Sequence, residues 1–453
     1  MEMLLSDCAE CVQGRLVGKD LAISSFCIDT RGIKPGQLYI AIKGHNFDGN
    51  DFIAQAEQAG AIAAIVHEGV AATIPHIIVD DTRLALAELA GAWRQKAAVA
   101  VVGITGSNGK TTVKEMVAAI LSIQSNVLYT QGNLNNDIGV PLTLLRLNEQ
   151  HQYAVIEMGA NHPGEIAYTS KYAQSDVVVL NNAGAAHIEG FGNLDGVAKA
   201  KGEIIQTLKK DGVAVINQDD KYFDYWKTIA GDRRTLSFGL NEKADVTAKC
   251  IKTEIRDNAF ATTFKLVTAQ GTVESVLTLA GRHNVVNALA ATAACLALDI
   301  SLQQIKQGLE SVQPVRGRMQ PLVSRLGNII IDDTYNANAV SLKAGLDALA
   351  ACAGKPWLVL GAFGELGPRS PKMHEEIGEL IKASGVTRLL AVGSDAQNTV
   401  RAFGTGATFF ETQQDLIDAL KQELKGDETI LIKGSRAQRM ENVVAALVDN
   451  FRN

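Results

Sequence analysis

The strongest chemistry in this sequence lies in one short segment, Gly103-Ile104-Thr105-Gly106-Ser107-Asn108-Gly109-Lys110-Thr111-Thr112. Glycines let backbone N–H groups curl around a phosphate, and a following helix adds partial positive charge at its N-terminus. Lys110 would reach the terminal phosphates of a nucleoside triphosphate, and Thr111 or Thr112 would place a hydroxyl on Mg²⁺. The common phosphate-loop spacing wants glycine where this chain has Ile104. The context compensates. A β-branched run precedes the loop, and Val113, Met116, Val117, Ile120 and Leu121 then recur at helical spacing.

Three other groups could join it. Glu157 ends the run Tyr153-Ala154-Val155-Ile156 and could hold Mg²⁺. His187 lies in a small-residue loop after Asn181 and Asn182. Lys199 and Lys201 lie two apart in a helical stretch, so at most one can enter a site, and pattern alone leaves both in solvent. Cys8 and Cys11 form a C-x-x-C pair, but no second pair or histidine stands at zinc-ligand spacing, so reduced thiols are expected.

These groups need a scaffold that gathers them. Continuous apolar runs at Val99 to Ile104, Tyr153 to Ile156, Val177 to Leu180 and Val213 to Ile216 predict strands covered on both faces, hence a parallel sheet. Thr105, Glu157, Asn181 and Asn182 follow those runs and should share the rim where such sheets bind ligands. Residues 233–280 alternate polar and apolar, as antiparallel ribbons do. Further runs near 329–331, 357–360, 389–392 and 430–432 predict a second doubly wound sheet, with Asp332, Asp333 and Lys433 on its rim. The expected fold class is therefore α/β in three units: a small α/β module over 1–82, a central mostly parallel sheet with an antiparallel addition over 83–313, and a Rossmann-like sheet over 314–453.

Composition narrows the setting. With 453 residues, 47% of them hydrophobic, the chain can build more than one core. The 43 Lys and Arg against 49 Asp and Glu disfavour general binding to nucleic acid or anionic membranes. No apolar run approaches the ~20 residues that span a bilayer. Met1 to Asp7 carries no basic stretch ahead of an apolar one, so the cytoplasm is the expected compartment.

Taken together, the motifs resemble the Mur ligase family, ATP-dependent amide-forming enzymes of peptidoglycan synthesis. The resemblance spans the chain through the phosphate loop and the segments Gly132 to Pro141, Glu157 to Ile166, His187 to Gly192, Gly281 to Asn284, Asp332 to Asn338 and Lys433 to Arg436. Those segments are most similar to the branch that joins D-alanyl-D-alanine to UDP-N-acetylmuramoyl-tripeptide, and the Asp-Asn-Pro-Arg pattern of the diaminopimelate-adding branch is missing. The resemblance implies an acyl-phosphate mechanism in a monomer using ATP and two Mg²⁺. It places Thr105 to Thr112 around the phosphates, with Lys110 on the β/γ-phosphates. Thr111 and Glu157 would bind one Mg²⁺ and His187 a second. Lys201 would be the lysine that CO₂ converts to a carbamate supporting that second metal. Asn284 and Asn287 would contact adenine, and Arg318 and Asp333 would reach the nucleotide from the last unit. Ser25, Asp29, Thr30, Arg31 and Lys43 would grip the UDP-sugar. Asn336, Asn338, Lys433 and Ser435 would surround the dipeptide, with Asn136 a further substrate-side candidate. Two rival readings share the loop: a ligase that adds glutamate to folate, and a non-catalytic ATP-binding protein.

Overall fold

The computed structural model describes residues 1–44, 47–184, 188–256, 259–364 and 366–448. Its central unit is a six-stranded sheet, all parallel. The strand order is Arg234–Phe238, Val213–Asn217, Val177–Leu180, Ala100–Thr105, Tyr153–Glu157, Val127–Tyr129. Successive residues of these strands feed opposite cores. Val101, Ile156 and Val178 point into one; Val102, Val155 and Val177 point into the other. That is why their sequences read as unbroken apolar runs. Ala100–Thr105 lies between Tyr153–Glu157 and Val177–Leu180, and the chain crosses from one side of it to the other. Its carboxyl end is thus the switch point where such sheets open a crevice.

Two edge strands of this central sheet escaped the sequence reading. Arg234–Phe238 pairs in parallel with Val213–Asn217, whereas residues 233–280 had suggested antiparallel ribbon throughout. The antiparallel ribbon begins only at Thr247 and runs through Thr247–Arg256, Ala259–Thr268 and Gly271–Leu277. Arg234–Phe238 buries only its last two residues, Ser237 and Phe238, so it lacks the unbroken apolar run of the inner strands. Val127–Tyr129 is too short to show any period.

The N-terminal unit is a five-stranded sheet ordered Arg15–Val17, His76–Ile78, Ala63–Val66, Leu38–Ile40, Phe26–Cys27. Helix Thr82–Lys96 leaves it, started by Asp81, whose side chain accepts from the N–H groups of Arg83 and Leu84. The expected 82/83 boundary falls in this helix's first turn. Its inward face, including Leu86, Leu89 and Trp93, is continuous with apolar side chains of both units. Trp93 stacks edge-on against Phe26, 4.9 Å between centroids, and donates to the Leu147 carbonyl at 2.9 Å.

The C-terminal sheet has six strands ordered Gln320–Val323, Ile329–Asp333, Glu428–Lys433, Lys355–Gly361, Arg388–Val392, Ala407–Phe410, all parallel but the first. Phe260 of the antiparallel ribbon is buried in this unit's core, joining it to the central one. Among the described residues, no helix is long and apolar enough to cross a membrane.

Candidate active site

The phosphate loop bends as its glycines predict. Gly109 has φ +79°, and a Cβ there would fall 2.3 Å from Asn287 Oδ1, so only glycine fits. Helix Lys110–Leu121 starts at the next residue. The neighbouring strand end holds the loop in shape. Asn108 N donates to Asn182 Oδ1 at 2.9 Å, and Asn181 Nδ2 and Asn182 Nδ2 donate to the Asn108 carbonyl at 2.9 and 3.1 Å. Ser107 Oγ donates to the Gly184 carbonyl at 3.0 Å. Lys110 Nζ lies back over the loop, donating to the Gly106 carbonyl at 2.7 Å. Burial pulls its pKa below the ordinary lysine value; Glu157 opposes this and Arg318 adds to it.

Thr111 is the hub of the site. Its hydroxyl donates to Glu157 Oε2 at 2.9 Å and accepts from Arg318 Nη2 at 3.1 Å. The other Glu157 oxygen accepts from Asn135 Nδ2 at 2.8 Å. Arg318 arrives from the C-terminal unit with its guanidinium 4.3 Å from the Tyr335 ring centroid. Asn338 from the same unit donates to Asn108 Oδ1 at 2.8 Å. Asp333 accepts from Lys433 Nζ at 2.5 Å and from Met319 N at 3.3 Å.

These groups wall a cavity of about 630 Å³ between the central and C-terminal units. Ser107 to Thr112, Asn136, Glu157, Asn284, Asn287, Arg318, Asp333, Asn336, Asn338 and Lys433 all line it. Asn284 and Asn287 come from helix Arg282–Leu296; Asn287 Nδ2 donates to Asn284 Oδ1 at 3.1 Å, and Asn287 Oδ1 accepts from Asn181 Nδ2 at 3.0 Å.

Other candidates sit elsewhere. Thr105 is buried and spends its hydroxyl on the Met158 carbonyl at 2.8 Å, bracing two strand ends behind the wall. Ser435 likewise donates to the Ala362 carbonyl at 2.7 Å. Asp29 caps the turn Thr30–Gly32 and pairs with Arg31 at 2.6 Å, which holds its carboxyl down at about 2. Lys43 lies 3.9 Å from Asp48 beside a second, open cavity that includes Asn50, His67 and Arg83. Ser25, with its carbonyl accepting from Leu38 N, Asp29, Thr30, Arg31 and Lys43 all belong to the N-terminal unit and stand apart from the cavity that holds Lys110. His187 lies outside the described residues.

Of the two lysines in helix Leu194–Gln206, Lys199 is exposed and Lys201 is 2% exposed. Burial, reinforced by the charge of Lys110, pulls the Lys201 pKa down to about 7, against Glu203 and Glu165. Its Nζ lies 5.5 Å from the Phe191 ring centroid.

The donor set around Thr111 suits Mg²⁺. Glu157 is a buried carboxylate whose oxygens meet the neutral donors of Thr111 and Asn135 beside the phosphate loop. Mg²⁺ favours one or two such oxygen ligands plus substrate phosphates. Among the described residues no cluster of three or more His, Cys, Asp or Glu offers a cage, and Cys8 and Cys11 are free thiols. Burial pushes the Cys8 thiol up to about 12, so it is inert at neutral pH.

Sequence reasoning missed Asn135 as the partner of Glu157, although it lies in the Gly132 to Pro141 segment. It also missed His283, which lines the cavity and which burial shifts toward its neutral form. The Arg318–Thr111 and Asn338–Asn108 contacts left no signal, since each joins residues more than 200 apart.

Three family models match the chain: "Mur ligase family, catalytic domain" over 22–94, "Mur ligase middle domain" over 104–295, and "Mur ligase, glutamate ligase domain" over 317–436. The chain is 44% identical to the UDP-N-acetylmuramoyl-tripeptide–D-alanyl-D-alanine ligase of Escherichia coli, covering 99% of each. It superposes on a crystal structure of MurF from Acinetobacter baumannii with TM-score 0.92 at 38% identity, covering 98% of both chains. MurF ligase from Thermotoga maritima, solved with ADP, gives TM-score 0.84 at 30% identity, covering 93% of this chain and 96% of that one.

Proposed function

The chain belongs to the Mur ligase family, and from that premise we infer that it joins D-alanyl-D-alanine to UDP-N-acetylmuramoyl-tripeptide, converting ATP to ADP and phosphate. Full-length similarity to ligases of that name, N-terminal unit included, supports this over a folate-type ligase or a non-catalytic ATP binder.

The chemical problem sets the division of labour. A carboxylate is a poor electrophile, and it meets an anionic γ-phosphate at contact. Phosphorylation of the tripeptide carboxylate gives an acyl phosphate; the dipeptide amine then attacks the acyl carbon and phosphate leaves. Lys110 and Arg318 neutralise charge gathering on the transferred group. Thr111 and Glu157 would hold Mg²⁺, which when bound would offset negative charge on the phosphates. Asn284 and Asn287 face the base, and Asp333 orients Lys433 on the C-terminal wall. Closure of the C-terminal unit through Arg318 and Asn338 keeps water from the acyl phosphate.

Residues 1–82 hold the UDP-sugar through Ser25, Asp29 to Arg31 and Lys43. Residues 83–313 bind ATP, and 314–453 receive the dipeptide between Asn336, Asn338 and Lys433, with Asn136 across the cavity. The neutral Lys201 amine adds to CO₂, forming an N–C bond and releasing a proton, so an uncharged amine becomes an anionic carbamate. That group and His187 would together support a second Mg²⁺. The enzyme works as a cytoplasmic monomer.

One observation carries this reading: Thr111, at the start of the phosphate helix, is bound at once by a buried carboxylate and by an arginine of the C-terminal unit. The test supplies UDP-muramoyl-tripeptide, ATP and D-Ala-D-Ala. The expected result is one phosphate per pentapeptide detected by mass; ADP release without pentapeptide would overturn it.

A further inference from the structure

Lys114 has no part in the chemistry above, yet it is one of the most deeply buried charges in the protein, 1% exposed. It sits one turn after Lys110 on the helix that starts at the phosphate loop. Burying an ammonium costs several kcal/mol unless it is well paired. Its pairing is specific. Nζ donates to the Thr130 carbonyl at 2.8 Å, lies 2.8 Å from Glu115 Oε1, and is 5.6 Å from the Tyr129 ring centroid.

Thr130 is the connection to the site. It follows the edge strand Val127–Tyr129 and is fully buried. Its own N–H donates to the Val155 carbonyl at 3.0 Å, and its Oγ1 accepts from Glu157 N at 3.0 Å. Among the described residues the edge strand has no strand neighbour on its outer side, and the Lys114 contact from the helix holds its end. Lys114 thus grips the same residue that grips the backbone of Glu157.

We propose that Lys114 is a positioning residue for Glu157, acting through Thr130 to set the carboxylate against Thr111. The proposal rests on Glu157 being a Mg²⁺ ligand. Partners one step behind a metal ligand typically change metal affinity by about 10–100-fold when removed. A purely structural lysine would change stability and leave metal affinity alone.

The test measures ADP affinity by calorimetry with the full chain, in Mg²⁺ and again in EDTA, and compares the ratio of the two. Lys114→Met and Thr130→Val should each cut the Mg²⁺ advantage about tenfold or more. Thr130→Ser, which keeps the hydroxyl, should retain it. Lys114→Met combined with Glu157→Gln should be no worse than Glu157→Gln alone. Should Lys114→Met fail to fold, the two Thr130 variants decide the question. An undiminished Mg²⁺ advantage in Thr130→Val, with Glu157→Gln impaired, would overturn the link to Lys114 alone. An undiminished advantage in Glu157→Gln would overturn the metal assignment and the proposal with it.

Discussion

Asn338 of the C-terminal unit donates its side-chain Nδ2 to Asn108 Oδ1 of the phosphate loop at 2.8 Å, while its side-chain Oδ1 accepts from Ser341 N at 2.9 Å. One residue therefore starts helix Ala339–Ala350 and ties that helix to the nucleotide loop. The two roles can be separated. Asn338→Ser keeps a capping oxygen but is too short to reach Asn108, so stability should change by under ~1 kcal/mol. ADP should bind about 2–12-fold more weakly, the value of one hydrogen bond. Calorimetry beside a thermal melt checks both.

Lys110→Ala should leave the fold intact, because among the described residues its ammonium bonds to the nearby loop carbonyls of Gly106 and Ser107. Removing a charge-stabilising donor at a transferring phosphoryl group costs about 10²–10³ in turnover. Phosphate release with all three substrates measures it.

Lys201 should make activity depend on pH and CO₂. With its pKa lowered to about 7, the neutral amine that reacts with CO₂ grows as pH rises through 7. Bicarbonate should therefore stimulate most below neutrality, and Lys201→Ala should lose both activity and the bicarbonate response. The stability sign follows from the same shift. Between about 7 and 10.5 the unfolded chain holds this proton and the folded chain does not. Stability from this group thus rises with pH across that window, and its penalty is largest below it. Lys201→Met should remove that slope from thermal melts taken between pH 7 and 10.

Arg31→Ala should act on one substrate only. The Asp29–Arg31 pair lies in the N-terminal unit, apart from the cavity that holds Lys110. On the role proposed for Arg31, loss of its charge-assisted contact to the UDP-sugar should raise that substrate's KM roughly tenfold. ADP affinity should stay at the wild-type value, which calorimetry reads directly.

Legibility followed range. The phosphate loop was readable because its parts are contiguous: strand, glycines, Lys110, Thr111 and helix follow one another. The central strands were readable because burial on both faces leaves continuous apolar runs. Edge strands Val127–Tyr129, Gln320–Val323 and Ala407–Phe410 are short and half covered, so they left weak patterns. Thr105 and Ser435 carry the right chemistry in the right motifs, yet both turn their hydroxyls to backbone carbonyls. Nothing local specifies that choice.

By itself the sequence determined the loop, the rim residues Glu157, Asn181 and Asn182, and the three-unit α/β plan, since each depends on neighbours within a few residues. Tertiary structure alone decided that Lys201 is buried while Lys199 is exposed, that Lys114 is enclosed, and that Arg318 meets Thr111. The physical reason is solvation. Whether a charge is costly, and which proton it keeps, depends on which distant element has displaced its water.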